Sequence, residues 1–372
     1  MNSDTPLNFA ARITAPVLRV VYSRWVGVAM VSGLVLGSLL WFATRERLPR
    51  SIAVATGAPN GQYHRCGEFL AQAIEQRTGR RCQVLVTEGS VDNRQRLMRG
   101  EAQLAIIQNG TIAMDGLTVI APLFPDVVHM VVRKGRGIQK IRDLIGKNVA
   151  LGPMGSGMHA SAVDILSHYG VSEDRLGGNS QAYFRNLEQD DSLDAAIVTT
   201  AYVNQDLKDL LGHAEFELLD IENREAISIL KSHLSPTTIP RGLYREGPAV
   251  PATPKQSLAT TSLLVAREGV ADELVRAAVA ALYEDYPHAP LEDANQMARF
   301  FSKDQASRWQ QLPLHTITET YFEPYKGLIL LKDFMESMVA TKELSFTLGA
   351  GVYVLWLSRG KLIARRNDRY LA

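Results

Sequence analysis

Apolar runs and amphipathic stretches alternate along residues 51–110. Residues 51–56 (SIAVAT) predict a strand, a turn rich in glycine and proline follows, and residues 63–77 predict a helix. Four apolar side chains of this helix fall on one face: Phe69, Leu70, Ala73 and Ile74. Residues 82–110 repeat the order strand, helix, strand, with the helix at 90–99. This alternation predicts an α/β fold with a mainly parallel sheet and helices on its faces.

A second series of strands and helices follows the first. Residues 148–170 again give a strand, a glycine loop and a helix, and residues 192–211 give a strand that leads into a helix. Residues 236–254 are rich in proline and glycine and predict a linker. A strand at 257–268 and a helix at 271–285 come after it, which indicates that the chain returns to the first unit.

This order predicts two lobes with a cleft between them. We assign residues 50–134 and 250–330 to lobe 1 and residues 135–249 to lobe 2. Two segments then cross between the lobes, near Phe124–Val132 and near Gly247–Thr260, and form a hinge. A chain of 372 residues is too long for one typical core and suits two lobes with short extra segments.

Composition excludes several classes of protein. With 46% hydrophobic residues, 21% charged residues and a net charge of +1, the chain is neither disordered nor broadly nucleic-acid-binding. Its two cysteines, Cys66 and Cys82, exclude a four-cysteine metal site. They would lie at opposite ends of the first predicted helix, well over ~10 Å apart at ~1.5 Å rise per residue, beyond disulfide reach. Both are predicted to be small buried hydrophobes.

The uncharged stretch 25–44 (WVGVAMVSGLVLGSLLWFAT) is long enough in helix to cross a bilayer core of roughly 30 Å. Such a stretch is typical of a transmembrane anchor or a signal peptide. Cleavage after Ala43 would place Trp41 at the −3 position, where a small residue is needed, so a retained anchor is favoured. Arginines flank both ends of the stretch equally, and their charges give no orientation.

The C-terminal extension, 331–372, holds a second apolar segment at 344–358 and a basic tail. In helix, this segment would span only about 22 Å, which is short for a crossing. The tail suits the cytoplasmic side of a membrane or anionic headgroups. A crossing, an interfacial segment and a buried element of the core all remain open.

Polar and glycine-rich loops follow the predicted strands. In open α/β sheets, ligands bind beyond the carboxyl ends of the strands, where backbone N–H groups and helix N-termini carry partial positive charge. The loops predict a site for a small carboxylate-bearing solute, with Tyr63 against its carbon chain. The candidate ligand-binding residues are Gly61, Gln62, Tyr63, Ser90, Asn93, Gln108, Gly155, Ser156, Gly157, Met158, Thr199 and Thr200. A structural interpretation stays open, since tight turns need glycine and Ser90 or Asn93 could cap the following helix.

No catalytic or cofactor motif accompanies these loops. The loop 152–158 lacks the Gly-Lys-Ser/Thr ending of a phosphate-binding loop, and Ser156 stands in Met-Gly-Ser-Gly-Met, which is not a Gly-x-Ser-x-Gly elbow. The histidines include no HExxH-like pair. We therefore expect no enzyme activity, no metal site and no cofactor.

Landmarks from about residue 52 to 285 resemble, in order, those of the TAXI family, the solute receptors of one class of tripartite ATP-independent periplasmic (TRAP) transporters. The segments are ATGAPNGQYHRCGEFLA, VTEGSVDNRQRLMRGEAQLAIIQ and VVHMVVRKGRGIQKIRDLIGKNVALGPMGSGMHASAVDIL. The resemblance implies ligand contacts from Gly61, Tyr63, Ser90, Asn93, Gln108, Gly155, Ser156 and Gly157. The chain departs from the family pattern at Asn60, His64 and Met158, which leaves the identity of the ligand open.

The resemblance also implies a two-lobed, periplasmic-binding-protein-like (type II) fold. Members of the family are often cleaved and soluble, whereas residues 25–44 predict an N-terminal transmembrane helix that tethers this chain to the inner (cytoplasmic) membrane. The resemblance gives the orientation, with residues 1–24 in the cytoplasm and the main domain facing the periplasm. The implied partners are a small organic-acid or amino-acid solute, a TRAP-type membrane permease and the lipid bilayer, with no nucleic acid. Two alternatives are a membrane-tethered ligand sensor and a biosynthetic enzyme of the thiamine-pyrimidine type, which would need a reactive lysine or histidine and clustered cysteines.

Overall fold

The computed structural model describes part of the chain, namely residues 28–39, 48–59, 61–202, 204–288, 301, 304 and 312–324. The tail at 1–24, Asn60 and the apolar segment 344–358 lie outside these ranges. Of the predicted anchor, residues 28–39 are described, and they form an exposed helix, α1. Within the described ranges, no helix combines the length and the apolar character that a bilayer crossing requires.

The chain then forms two strand–helix units and two further strands, of which the second is long. Their bounds are β1 Ser51–Ala55, α2 Gln62–Thr78, β2 Arg81–Leu85, α3 Ser90–Arg99, β3 Leu104–Gln108 and β4 Leu117–Arg133. Helix α2 ends where Gly79 adopts a left-handed conformation with φ of 65°, which glycine tolerates without strain. Its buried face includes Leu70, Ala73 and Ile74, as the hydrophobic spacing predicts.

Further strands and helices follow along the chain. They are β5 Val149–Ala150, α4 Gly157–His168, β6 Ala195–Ala201, α5 Gln205–Leu210, β7 Phe216–Leu219, α6 Arg224–Leu230, β8 Ser235–Ile239, β9 Lys255–Arg267, α7 Asp272–Ala280 and α8 Thr316–Phe322. We call β1–β3 with α2, α3, α7 and α8 the first half, and β5–β8 with α4–α6 the second half. Strands β4 and β9 contribute to both halves.

The nine described strands form one mixed sheet in the order β2-β1-β3-β9-β4-β6-β5, with β7 beside β4 and β8 beside β9. The α/β fold class is confirmed, but the prediction of a mainly parallel sheet is wrong. Every pair that includes β4 or β9 is antiparallel. Strands β1–β3 and β6 run toward the junction between the halves, whereas a strand that arrives from the other half must run away from it.

Strands β4 and β9 cross this junction side by side. Asp126 marks the changeover, because it lies opposite Thr260 of β9 and Ala201 of β6. A register shift occurs between Pro122 and Pro125, where proline has no N–H to donate to the ladder. The two strands lie where the sequence predicts two crossings, and the assignment of residues to lobes stays a prediction.

The predicted linker is partly a strand. Ser235–Ile239 form β8, which pairs antiparallel with β9. Pro236 is tolerated there, since proline is compatible with strands whose N–H side does not donate to a second neighbour. The linker prediction is therefore wrong at its beginning, because the β-branched residues Thr237, Thr238 and Ile239 favour a strand despite the neighbouring prolines.

The first half has a core between its sheet and helices α2 and α7, with Ile52, Ile74 and Val275 fully buried. Cys66 is fully buried in this core, and burial raises the pKa of its thiol to about 12. Cys82 is only partly buried. Both cysteines are free, so the prediction that they do not pair is confirmed.

Arg133 ends β4 inside the second half, where its side chain is 7% exposed. The guanidinium donates to three backbone carbonyls of one segment: those of Leu187 (2.6 Å), Leu193 (3.2 Å) and Asp190 (3.3 Å). It also forms a 2.8 Å ion pair with Glu215 and lies 5.0 Å from the centre of the Phe216 ring. One side chain thereby fixes the segment 187–193 against the sheet.

Candidate functional site

A cavity of about 620 Å³ lies at the junction between the halves. Loops that follow β1, β2 and β3 line it from the first half, and the loop before α4 and the end of β6 line it from the second. Ten of the predicted site residues line this cavity: Gly61, Gln62, Tyr63, Ser90, Gln108, Ser156, Gly157, Met158, Thr199 and Thr200. The structure therefore brings together residues from five separate loops, and their binding of a ligand stays a prediction.

Two predicted site residues, Asn93 and Gly155, lie outside the cavity lining. Asn93 is fully buried, and its amide donates to the carbonyls of Thr56 and Ile106, each at 2.7 Å. It thus ties α3 to β1 and β3. The carbonyl of Gly155 accepts from the backbone N–H of Val91 at 3.2 Å, which joins the two halves.

Gln108 lines the cavity but also holds the halves together. Its Nε2 donates to the carbonyl of Gly157 at 2.8 Å and to Oγ of Ser161 at 2.5 Å. The close approach needs glycine at 157, because an added Cβ would lie 2.6 Å from the Gln108 Cβ. With the contact between Val91 and Gly155, these bonds close one rim of the cleft.

Most hydroxyls of the cavity already have protein partners. Ser90 is not the cap of α3, since Gly89 holds that position, and its Oγ accepts from the Gln108 N–H at 3.0 Å. Oγ of Ser156 caps α4, and Oγ1 of Thr200 accepts from Asn204 at 2.9 Å. Thr199 differs, because its buried Oγ1 has no hydrogen-bond partner among the described residues.

Asp126 is the main cavity residue that the sequence analysis missed. It is 2% exposed, and its Oδ2 accepts a short hydrogen bond from the hydroxyl of Tyr63. Burial raises the pKa of Asp126 to about 7, although the bond from Tyr63 acts in the opposite direction. A signal was present in the sequence: Asp126 is the one acidic residue in the apolar run of β4.

The charged residues described in the cavity lining are acidic. Glu88 and Asp126 line it, whereas the described lining contains no lysine, arginine or histidine. Three further lining residues come from a short stretch that carries no strand-end signal in the sequence: Gln181, Tyr183 and Phe184. The rings of Tyr183 and Phe184 lie 4.4 Å apart and form an aromatic wall.

The part of the chain that the structure describes contains no donor set for a metal ion. No group of three or more His, Cys, Asp or Glu side chains there could hold a metal ion. His64, which follows Tyr63, lies 3.3 Å from the Thr56 hydroxyl and 3.5 Å from Glu68. The cavity can therefore offer hydrogen bonds, aromatic faces and negative charge to a ligand.

A family model described as the NMT1-like family matches residues 54–324. Among solved structures, the periplasmic aliphatic sulphonate binding protein SsuA from Escherichia coli is 13% identical with a TM-score of 0.44, covering 77% of this chain and 94% of its own. PhnD1 from Prochlorococcus marinus, solved with methylphosphonate, is 9% identical with a TM-score of 0.44, and the match covers 70% of this chain and 96% of PhnD1. The effector binding domain of a BenM variant is also 9% identical with a TM-score of 0.44, and the match covers 64% of this chain and 96% of that domain.

Proposed function

The chain belongs to the NMT1-like family, and on that premise we propose that it is an extracytoplasmic solute-binding receptor of the TAXI type. In this proposal, a small carboxylate-type solute enters the cavity and the two halves close over it. The observation that carries the proposal is that strand-end loops from both halves line one cavity. No bond is made or broken, so the function is binding and not catalysis.

The size of the cavity fits this role. Its volume of about 620 Å³ falls within the roughly 300–1,000 Å³ of typical small-molecule sites. Its walls combine apolar groups, such as Pro59, Val86 and Met158, with a few polar ones. That mixture suits a small organic solute whose carbon chain is buried and whose polar ends are hydrogen-bonded.

Two helix N-termini favour a carboxylate. Helix α2 starts at Gln62 and α4 starts at Gly157, so both begin at the cavity, from opposite halves. The N-cap of α2 is Gly61, and no side chain caps this helix. Its first-turn N–H groups are therefore available to an anion, which the partial positive charge of a helix N-terminus stabilises.

Strands β4 and β9 supply the hinge of the proposed clamp. Rotation about these two strands would separate the halves and break the bonds from Gln108 to Gly157 and from Val91 to Gly155. A solute must bind the closed form better than the open form to shift this equilibrium. In this proposal, residues 25–44 tether the receptor to the inner membrane, and the closed form engages a TRAP-type permease on the periplasmic side.

Thermal-shift screening of the purified full chain against amino, oxo, hydroxy and dicarboxylic acids tests the proposal. A ligand at 100 times its Kd stabilises the native state by about 2.7 kcal/mol, which raises the melting temperature by several degrees. We expect at least one carboxylate to do so. A cooperative melt that none of these acids shifts would contradict the receptor proposal.

Thr199→Val tests whether the cavity is the binding site. We expect the affinity for the stabilising carboxylate to fall about 2- to 12-fold, the value of one hydrogen bond, without loss of stability. Thr111→Val is the matched control, because Thr111 also has a buried hydroxyl without a described partner but lies outside the cavity lining. Equal affinities of both variants and the wild type, measured by calorimetry, would exclude Thr199 from the site.

A further inference from the structure

We propose that the captured carboxylate also carries a protonated amine, and that Asp126 is the residue that receives it. This inference rests on the proposed function and names the chemical class of its solute. It makes Asp126 a specificity-determining residue, although neither the strand-end loops nor the family resemblance points to it.

The Asp126 carboxyl group is buried with little to compensate it. The one side-chain donor that lowers its pKa is the Tyr63 hydroxyl, which donates to Oδ2. A carboxylate taken out of water costs free energy unless a cation or several donors replace the lost solvent. No described lining residue carries a positive charge. A cation must therefore come from the ligand if this group is to be charged in the occupied site.

The described residues that pack on Asp126 provide no positive charge for its carboxylate. Thr260 and Ala201 lie opposite it on the neighbouring strands and do not titrate near neutral pH. Tyr63 packs on it from α2, and burial beside Asp126 raises the pKa of this phenol well above its usual range. The other acidic residue of the cavity lining is Glu88, a second carboxylate. Both carboxylates favour a cationic group of the solute over an anionic one.

Thr199 provides an independent observation that points to a ligand. Its side chain is 6% exposed, lines the same cavity and has no hydrogen-bond partner among the described residues. Buried hydroxyls are normally hydrogen-bonded, so an unpaired one in a residue of the cavity lining is an acceptor that a ligand can satisfy. An ammonium has three N–H donors, and Thr199 Oγ1 and Asp126 can each accept one. Tyr183 and Phe184 line the same cavity, and aromatic rings attract cations.

Binding of the ammonium should then be coupled to ionisation of Asp126. In the empty cavity, the Asp126 pKa of about 7 keeps the carboxyl mostly protonated at pH 6 and mostly ionised at pH 8. An ammonium beside it lowers this pKa, so binding at pH 6 releases most of one proton and binding at pH 8 releases little. Affinity for the amine should therefore rise with pH up to about 7 and then level off.

The experiment compares a panel of amino acids with their 2-oxo and 2-hydroxy counterparts on the full chain, by calorimetry at pH 6 and pH 8. We expect an amino acid to bind at least about tenfold more tightly than both of its counterparts, as a charge-assisted hydrogen bond requires. Calorimetry in buffers of different ionisation enthalpy should detect the proton released at pH 6. Equal or tighter binding of the oxo or hydroxy acid would overturn the inference and leave the receptor proposal intact. Binding of no member to the folded chain would overturn both.

Asp126→Asn assigns the effect to this residue. We expect Asp126→Asn to bind the amino acid at least about tenfold more weakly and to release no proton at pH 6. The control Glu101→Gln, whose residue lies outside the cavity lining, should bind the amino acid as the wild type does. The variant should remain folded. The pKa of Asp126 is raised in the folded state, to about 7 against ~3.9 when unfolded, so wild-type stability falls as pH rises between these values. Asparagine lacks this loss, and equal affinity of the stable variant for the amino acid would refute the role of Asp126.

Discussion

The Arg133→Met variant is expected to lose about 3 kcal/mol of unfolding free energy, which lowers the melting temperature by roughly 6–12 °C. The guanidinium donates to three backbone carbonyls of the segment 187–193, and methionine fills similar space without any donor. Carbonyls left unsatisfied inside the protein cost about 1–3 kcal/mol each, and water reaches them only if the segment moves. Thermal and urea unfolding of the full chain measure the loss.

Arg99→Met is the matched control for this substitution. The Arg99 side chain is 65% exposed and lies 3.8 Å from Glu101, so its removal should change stability by less than about 0.5 kcal/mol. Arg133→Lys should fall between the two, because an ammonium cannot reach three diverging carbonyls. An Arg133→Met variant as stable as Arg99→Met would show that the segment 187–193 does not depend on this side chain.

Gly157→Val is expected to hold the cleft open and to weaken solute binding about 5- to 150-fold, while the fold stays intact. A Cβ at this position would lie 2.6 Å from the Cβ of Gln108, and that atom cannot rotate away because its own backbone fixes it. The two halves must then separate, and overpacking of this kind costs about 1–3 kcal/mol in the closed form alone. Calorimetry with the stabilising carboxylate measures the affinity, and small-angle scattering of the full chain measures the separation of the halves.

Val163→Ala controls for a change in helix α4 that does not touch the rim. Val163 is 38% exposed on this helix and lies outside the cavity lining. We expect its affinity and its scattering curve to match those of the wild type. Wild-type affinity in Gly157→Val would contradict the idea that contact between the halves at Gln108 accompanies binding.

The positions of the strand-end loops could be predicted because they follow from local patterns. Apolar runs followed by glycine or polar residues mark the carboxyl ends of β1 and β6, and strands that run toward one junction bring those ends together. Gly61 and Thr199 are 138 positions apart in the chain yet line one cavity. Their shared location follows from strand direction and needs no knowledge of long-range contacts.

The contacts that the individual side chains make could not be predicted in the same way. Gln108 bonds to Gly157 and Ser161 only because the halves meet at that rim, and no local pattern encodes how two separate units face each other. Strand β9 reverses the sheet direction for the same reason. The role of Asp126 could have been predicted, since a lone carboxylate in an apolar strand needs a partner. The apolar pattern around it predicts a buried strand and does not mark a binding residue.

The position of β9 in the sheet also sets an order of assembly during synthesis. Strand β3 has β1 on one side and needs β9 on the other, yet β9 leaves the ribosome only after the whole second half. At ~5–20 residues per second, the delay is on the order of 10 s. During that interval the apolar edge of Leu104–Gln108 is open to pairing with other chains, which is the usual start of aggregation. Binding of chaperones to β3, more than the stability of the finished protein, should therefore limit how much of this protein a cell can make.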